Sequence, residues 1–379
     1  MAETVMIVTG ETSGELYGSL LATSLKKRLP SVRIIGVGGE LMKAAGVELI
    51  SGFSSAFGAA ELISSLSALR ETFKRAVDAL VNQKPSVLIL IDYPDFNLKL
   101  AEEAGKQRIS ILYYVSPQVW AWRKKRVHRI ARLVDRMAVI LPFEEEIYQG
   151  AGLRTEFVGH PVMDEIHRAG QDRIKLKREL GLQEDAPVIA LLPGSRPHEL
   201  QRLLPLLLNV FRESRKEFST CQFCMPFAPN TDLSRHEEMV RQFRAEGAVI
   251  TKGESLRVLA VSDLAVIASG TASLQAALLG IPLIVIYKLF PLTYWLARLI
   301  VKVKYVSLVN ILSGRGVVRE FIQGEATAGN IMQEIRRIMS DTGYREAMLA
   351  SFEEVRRMFE GRNASERVAE IVMEMGGWK

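Results

Sequence analysis

The sequence predicts an α/β protein in which two similar halves each form a parallel β-sheet with connecting helices. Short apolar runs rich in β-branched residues alternate with stretches of helical periodicity, which is the pattern of βαβ units. This alternation restarts near the middle of the chain, after a polar segment. The 379 residues, 48% of them hydrophobic, are enough for two cores, because domains usually span about 100 to 200 residues.

The first half contains five strand-like runs, and each is followed by turn residues or by a helical stretch. The runs are TVMIVTG, VRIIGVGG, SVLILID, SILYYVS and RMAVILP. We therefore predict an N-terminal domain over residues 1–165. A polar segment with glycine and proline follows, and we predict a linker near 160–185.

The second half begins at PVIALLPGSR, where a strand leads into an amphipathic helix. One face of that helix is apolar and comprises Leu200, Leu203, Leu204, Leu207, Leu208 and Phe211. FCMPFA, AVITKG, DLAVIASG and IPLIVIY follow as further strand candidates. We predict a C-terminal domain over 180–345 and additional helices over 346–379.

The composition favours an anionic ligand without favouring nucleic acid. The net charge is +6 and the isoelectric point is near 9.2, but no basic tail is present. A phosphorylated substrate or an anionic membrane surface accounts for the charge. The run VSPQVWAWRKKRV mixes aromatic and basic residues after only one strand, so we expect no nucleic-acid partner.

We expect the protein to stay in the cytoplasm, on the basis of its N-terminal pattern and its cysteines. The N-terminus has a strand pattern in place of a signal peptide. GIPLIVIYKLFPLTYWLARLIVKV is interrupted by charged residues and a proline, so we do not expect it to cross a membrane. Cys221 and Cys224 are interpreted as strand residues, since one C-x-x-C pair falls short of a zinc site.

Two segments have the character of membrane-surface helices. SGFSSAFGAAELISSLSALRETFKR and FPLTYWLARLIVKVKY each combine apolar residues with flanking basic residues. Ordinary core helices are the alternative for both segments. We expect peripheral association with a membrane if either segment is interfacial.

Two strand-to-helix turns in the second half carry the clearest chemical signal. Both turns, in LLPGSRPHEL and VIASGTASLQ, direct backbone N–H groups towards a ligand, and the first adds a guanidinium. Their residues are Gly194, Ser195, Arg196, Ser269, Gly270 and Thr271. The pair predicts a nucleotide diphosphate at the carboxyl edge of the second sheet. Ordinary strand–helix connections are the alternative.

The first half carries carboxylates at the end of a predicted strand, where one of them could act as a proton acceptor in catalysis. SVLILIDYPDFN sets Asp92 at the end of a buried strand, where it can take a proton from a hydroxyl nucleophile. Asp95 follows three residues later and also fits a helix cap. TGETSGELYG carries Ser13, either in an anion-binding or sugar-binding turn or as a helix cap. His160 either faces a substrate or is structural, and no cluster has the spacing of a metal site.

Strings spread over nearly the whole chain make this sequence similar to one family. GETSGE, IDYPDFN, VSPQVWAWR, LPFE, FVGHPVMDE, LLPGSR, ASGTASLQ and YVSLVNILSGR occur in this order. They resemble the lipid-A-disaccharide synthases, which are inverting glycosyltransferases. The resemblance implies a GT-B glycosyltransferase fold, with two Rossmann-like domains facing a cleft and the last helices returning to the N-terminal domain.

The implied reaction joins UDP-2,3-diacylglucosamine to 2,3-diacylglucosamine 1-phosphate (lipid X) and releases UDP, with neither metal nor cofactor. By the resemblance, Asp92 is the general base and Arg196 steadies the departing UDP. The residues implied on the nucleotide-sugar side are Gly194, Ser195, Arg196, Ser269, Gly270, Thr271, Gln275, Asn310 and Glu320. Those implied on the acceptor side are Ser13, Ser116 and Trp120. The family also implies the cytoplasmic face of the inner membrane and a homodimer.

The sequence departs from the family pattern at Glu15, Val309 and Gln275. Gln275 replaces a Glu that could accept hydrogen bonds from ribose hydroxyls, and an amide oxygen retains only part of that capacity. If the missing carboxylate matters, Gln275→Glu should strengthen UDP binding. Two alternative functions remain. One is another GT-B enzyme, either a UDP-sugar transferase with a different acceptor or a nucleotide-sugar epimerase, and the other is a non-catalytic nucleotide-sugar-binding protein.

Overall fold

The computed structural model describes residues 3–52, 62–122, 125–168, 172–290, 294 and 303–378. The chain divides into two compact units. Unit 1 comprises Met1–Asp164 and Glu360–Lys379, and unit 2 comprises Glu165–Phe359. The predicted C-terminal segment began at 346, whereas the chain returns to unit 1 only at Glu360.

In the described part of unit 1, seven parallel strands form one sheet in the order β3-β2-β1-β4-β5-β6-β7. The strands are β1 (Thr4–Val8), β2 (Arg33–Gly38), β3 (Glu48–Gly52), β4 (Val87–Ile91), β5 (Ser110–Tyr114), β6 (Arg136–Val139) and β7 (Thr155–Phe157). Every residue of β1 and β4 is buried, as expected for the centre of a parallel sheet that helices cover on both faces.

The helices of this part of the chain lie between successive strands, except that the last one follows β7. They are α1 (Thr12–Arg28), α2 (Glu40–Ala44), α3 (Leu62–Gln83), α4 (Pro94–Lys106), α5 (Val119–Trp122), α6 (Arg126–Leu133), α7 (Glu144–Gln149) and α8 (Pro161–Arg168). The boundary between the two units falls inside α8. The segment predicted as a linker therefore begins with a helix.

A helix from the end of the chain, the C-terminal helix Ala364–Gly376, completes unit 1. It packs against α1 and buries Val368 and Val372 completely. Its first turn is anchored twice, because the Asn363 side chain accepts from the Glu366 N–H, and Asp164 accepts from the Ser365 N–H at 3.0 Å.

In the described part of unit 2, six parallel strands follow the order β10-β9-β8-β11-β12-β13. They are β8 (Val188–Leu192), β9 (Gln222–Phe227), β10 (Val249–Lys252), β11 (Leu264–Ala268), β12 (Leu283–Tyr287) and β13 (Glu320–Ile322). Both sheets thus have the Rossmann strand order, and the prediction of two Rossmann-like α/β domains is confirmed.

The helices of unit 2 begin with α9 (Arg173–Glu179), α10 (Pro197–Glu217), α11 (Glu237–Ala245), α12 (Ser255–Ala260) and α13 (Thr271–Leu278). The helices Leu308–Ser313, Ala328–Ser340 and Thr342–Arg357 follow, and short 3-10 helices cover Leu233–His236 and Gln323–Glu325. All six residues of the predicted apolar face of α10 are buried. Cys224 is a buried residue of β9, and burial raises the pKa of its thiol to about 12.

Among the described residues, no helix is long and apolar enough to span a membrane. The two segments predicted at a membrane surface include residues 53–61, 291–293 and 295–302, which lie outside the described residues. The described remainder of the first segment belongs to β3 and α3.

Candidate functional site

The strand order singles out one position at the carboxyl edge of each sheet. In unit 1 the order reverses between β1 and β4, and in unit 2 it reverses between β8 and β11. Ligands of doubly wound sheets bind at such switch points, beyond the carboxyl ends of the strands. The turns that carry Ser13 and Asp92 follow β1 and β4, and the turns of Arg196 and Thr271 follow β8 and β11.

Asp92 follows β4 directly and has a left-handed backbone, with φ of 49°. Tyr93 continues in the same region with φ of 47°. The carbonyl oxygen of Asp92 accepts from Tyr113 Oη at 2.6 Å and from Asn97 Nδ2 at 2.7 Å. Non-glycine residues in this conformation cost about 1 to 3 kcal/mol each and concentrate at functional sites. The fold therefore holds Asp92 in a defined and costly geometry.

The turn after β1 contacts the turn after β4. A Cβ atom on Gly10 would lie 2.1 Å from the Tyr93 ring, so only glycine fits there. Ser13 lies in the first turn of α1 and is half-buried, while Glu11 occupies the N-cap position without a capping side-chain bond. Ser13 and Asp92 thus belong to adjoining turns, but Ser13 is not a helix cap.

Two of the other candidates for a proton acceptor, Asp95 and His160, are engaged in contacts with other residues. Asp95 accepts from Arg126 Nη2 at 2.5 Å. His160 is 2% exposed, and its Nδ1 accepts from the Val162 N–H at 3.2 Å. Burial lowers the pKa of His160 to about 3, so the ring is neutral at physiological pH. These contacts favour the structural interpretation of His160.

The predicted acceptor residues Ser116 and Trp120 converge on a carboxylate that the motif analysis did not single out. Ser116 Oγ and Trp120 Nε1 both donate to Oε1 of Glu144, at 2.7 and 3.0 Å. Leu141 N–H donates to the other carboxylate oxygen at 3.3 Å. Glu144 is 1% exposed, so it holds both side chains from beneath the surface. The string LPFE contained the only sequence signal for it.

Burial raises the pKa of Glu144 from 4.5 to about 7, although the donors from Ser116 and Trp120 oppose that shift. The folded state therefore binds a proton that the unfolded state has released, and the resulting stability is lost as the pH rises through about 7. Relative to Glu144→Gln, the wild-type free energy of unfolding should fall by up to about 3 kcal/mol between pH 5 and 8. Urea unfolding at both pH values measures this difference.

The matched control for that measurement is Glu146→Gln, which changes an exposed carboxylate on the same helix, α7. It should leave the pH dependence as it is in the wild type. A Glu144→Gln protein whose stability follows the wild-type pH profile would show that Glu144 does not titrate in this range.

The first predicted phosphate turn of unit 2 is already organised around an acidic residue. Gly194 has φ of 97°, and a Cβ atom there would lie 2.4 Å from Oε2 of Glu199. That oxygen accepts from the N–H groups of Ser195 and Arg196 at 3.1 and 3.2 Å. The backbone donors expected to meet an anion therefore meet Glu199. The Arg196 side chain is 54% exposed, with Nη1 3.5 Å from Glu199 Oε1.

The second predicted phosphate turn is more open. Gly270 is the N-cap of α13, and a Cβ atom on it would meet no atom of the described residues within 4 Å. Thr271 is half-buried at the first helical position. Ser269 Oγ donates to the Val306 carbonyl at 2.9 Å, which ties the turn to the loop before helix Leu308–Ser313. This helix N-terminus leaves room for an anion.

Asn310 and Glu320, both predicted beside UDP, form the scaffold of that loop. Asn310 is 1% exposed, its Oδ1 accepts from the N–H groups of Val317 and Val318, and its Nδ2 donates to Glu320 Oε1 at 2.8 Å. Glu320 also accepts from Ser307 Oγ at 2.7 Å. All the hydrogen-bonding capacity of the Asn310 amide is used. The Asn310 side chain therefore holds this loop together, and its position beside UDP stays a prediction.

Gln275, on the first turns of α13, donates from Nε2 to Oε2 of Glu165 at 2.9 Å. Both residues belong to unit 2 and are partly buried. Glu165 lies in the string FVGHPVMDE, which the sequence analysis did not connect with Gln275. No group of three or more His, Cys, Asp or Glu residues within the described ranges is arranged to hold a metal ion.

Comparison with known proteins identifies the family to which this chain is similar. The profile of the lipid-A-disaccharide synthetase family matches residues 5–372. The lipid-A-disaccharide synthase of Myxococcus xanthus (strain DK1622) is 40% identical over 375 residues, covering 98% of this chain and 97% of that protein. The lipid-A-disaccharide synthase of Syntrophus aciditrophicus (strain SB) is 41% identical over 371 residues, covering 97% of each.

A solved structure shares the fold at much lower identity. The UDP-GlcNAc 2-epimerase of Neisseria meningitidis, bound to UDP-GlcNAc, matches with a TM-score of 0.66 and 12% identity, covering 98% of each chain. This likeness supports the two-domain α/β architecture derived above.

Proposed function

The chain belongs to the lipid-A-disaccharide synthase family, and from that premise we propose the substrates of its reaction. The protein is a glycosyltransferase of lipid A biosynthesis. As donor we propose UDP-2,3-diacylglucosamine, and as acceptor 2,3-diacylglucosamine 1-phosphate. The products are the disaccharide 1-phosphate and UDP. The observation that carries the donor class is the pair of turns beside the switch point of unit 2, after β8 and β11.

The proposed chemical step is a single displacement at the anomeric carbon of the donor. Asp92 accepts the proton of the 6-hydroxyl group of the acceptor as that oxygen attacks the anomeric carbon. The bond from this carbon to the UDP oxygen breaks, UDP keeps the electron pair, and the anomeric configuration inverts. The hydrogen bonds from Tyr113 and Asn97 to the Asp92 carbonyl support this role, because they fix the backbone that aims the carboxylate.

Negative charge that develops on the departing UDP needs stabilisation, which we assign to Arg196 and to the N-terminus of α13. A guanidinium binds phosphate oxygens through charge-assisted hydrogen bonds, and a helix N-terminus adds N–H donors and a favourable dipole. Since Glu199 already accepts from the Ser195 and Arg196 N–H groups, the first turn contributes its side chain rather than its backbone.

We also propose that the enzyme works at the cytoplasmic face of the inner membrane, because both proposed substrates carry acyl chains. On α3, Leu69 is 39% exposed beside the exposed cation Arg70, and Lys74 is also exposed. Such a surface suits an anionic interface. Sedimentation with vesicles of phosphatidylglycerol should remove the protein from solution, and recovery in the supernatant would contradict this. A homodimer, implied by the resemblance, is tested by sedimentation velocity.

The reaction itself is tested by incubating the purified protein with both acylated substrates and measuring UDP release. We expect a disaccharide product and equimolar UDP. UDP release with a different acceptor but none with 2,3-diacylglucosamine 1-phosphate would identify another transferase. If the protein binds UDP but produces no UDP from the donor with any acceptor, it is a binding protein.

A further inference from the structure

A carboxylate lies beside the position at which the sequence analysis found one missing. Gln275 donates from Nε2 to Oε2 of Glu165 at 2.9 Å, although the two residues are 110 positions apart. Glu165 comes from α8 and Gln275 from α13, and both belong to unit 2. Burial raises the pKa of Glu165, whereas the hydrogen bond from Gln275 opposes that shift and favours the ionised form.

The pair lies next to the open part of the second phosphate turn. In α13, Ser273, Leu274, Ala276, Ala277 and Leu278 are buried, whereas Thr271 and Gln275 are half-buried. Thr271 and Gln275 are four residues apart, so they share a face of the helix at a spacing of about 6 Å along its axis. An anion at the N-terminus of α13 would therefore have the Gln275 side chain within one helical turn.

The chemistry of the pair suits a vicinal diol. Each oxygen of an ionised carboxylate accepts about two hydrogen bonds, so Glu165 retains acceptor capacity after it binds Gln275. The amide oxygen of Gln275 is a further acceptor. In nucleotide-binding Rossmann folds, the sugar hydroxyls next to a phosphate at a helix N-terminus are commonly bound by an acidic side chain.

We infer that Glu165, oriented by its hydrogen bond from Gln275, accepts hydrogen bonds from the ribose diol of the bound uridine nucleotide. This inference rests on the proposed function, because it assumes that unit 2 binds the UDP part of the donor. It assigns a nucleotide-binding role to a residue of α8. The carboxylate is present in this protein, but on a different helix from the one that the family pattern specifies.

The inference reverses the expected effect of Gln275→Glu. That substitution would place a second carboxylate about 3 Å from Glu165, and like charges at such a distance raise the pKa of one group strongly. One of the two carboxyl groups would be protonated or displaced from the pair. UDP binding should therefore weaken in Gln275→Glu, in contrast to the gain expected from the sequence.

The experiment compares UDP with 2′,3′-dideoxy-UDP, which lacks the diol, by calorimetric titration of the full chain at pH 7.5. The wild type should bind UDP about tenfold more tightly than the dideoxy compound. Glu165→Gln should lose about tenfold in UDP affinity and nothing in dideoxy-UDP affinity. The exchange variant Glu165→Gln with Gln275→Glu restores one carboxylate and one amide, and should recover UDP affinity to within about threefold of the wild type.

Glu213→Gln, on the exposed face of α10, is the matched control. It should change the affinity for neither UDP nor 2′,3′-dideoxy-UDP. Equal losses for both ligands in Glu165→Gln would mean a structural role, and unchanged binding of both would mean that Glu165 does not contact ribose. Either result overturns the inference while leaving the proposed function intact. A wild-type protein that binds neither ligand would overturn the proposed function together with the inference.

Discussion

Replacing Asp92 with Asn is expected to lower kcat by about 10²- to 10⁴-fold, the usual contribution of a positioned general base. The amide cannot accept the proton of the attacking hydroxyl group. UDP affinity should stay at its wild-type value, because the residues assigned to UDP belong to unit 2 and Asp92 belongs to unit 1. Steady-state turnover and calorimetric titration of UDP measure the two properties separately.

Asparagine is the appropriate replacement because Asp92 has φ of 49°. Asn tolerates the left-handed region at least as well as Asp does, whereas alanine is sterically disfavoured there. The hydrogen bonds from Tyr113 and Asn97 are made to the backbone carbonyl of residue 92, so the substitution leaves them in place. Loss of turnover in a protein with a wild-type melting temperature therefore reports on chemistry.

Asp95→Asn is the matched control, since Asp95 is an exposed carboxylate of the same turn that pairs with Arg126. An exposed pair of this kind contributes only about 0 to 1 kcal/mol, so turnover should remain within a few-fold of the wild type. If Asp92→Asn keeps wild-type turnover instead, the base must be another group, with Glu11, Asp95 and His160 to be tested in turn.

Replacing Arg196 with alanine is expected to weaken UDP binding by about 10- to 100-fold, the value of one hydrogen-bonded charge contact. The fold should survive, because the side chain is 54% exposed and its backbone N–H still donates to Glu199. Turnover should fall further than affinity, since the charge on UDP grows as the glycosidic bond breaks. Calorimetry with UDP and kcat at saturating donor measure the two losses.

Two further substitutions make the Arg196 experiment specific. Lys216→Ala removes an exposed cation near the other end of α10 and should leave UDP affinity unchanged. Arg196→Lys keeps the charge but loses the bidentate geometry, so an intermediate affinity is expected. Wild-type UDP affinity in Arg196→Ala would remove this residue from the phosphate site and leave the N-terminus of α13 as the main anion contact.

The strands and the strand-to-helix turns can be predicted from the sequence, because they depend on residues that are close together along the chain. Apolar runs predicted the strands, and the turns after β4, β8 and β11 were recognisable because a strand ends at small or acidic residues just before a helix. The strand order then followed the Rossmann pattern, which places those turns at the switch points. Local patterning therefore located both candidate edges.

The partners of the site residues could not be predicted in the same way. Glu144 lies 24 residues from Trp120, and Glu165 lies 110 residues from Gln275, so no periodicity links either pair. Asn310 was expected beside UDP from its motif position, but the loop closes around its amide. Which side chains meet depends on how helices pack on the sheet, and a single sequence does not contain that information explicitly.

The C-terminal helix also determines when the protein can fold during its synthesis. Domains generally fold in the order in which they leave the ribosome. Unit 1 cannot complete its core before unit 2 has been synthesised. The reason is that Val368 and Val372, which pack against α1, come after all of unit 2 in the chain. The nascent unit 1 thus leaves the apolar face of α1 uncovered while unit 2 is translated, and such transiently exposed apolar surface is prone to aggregation.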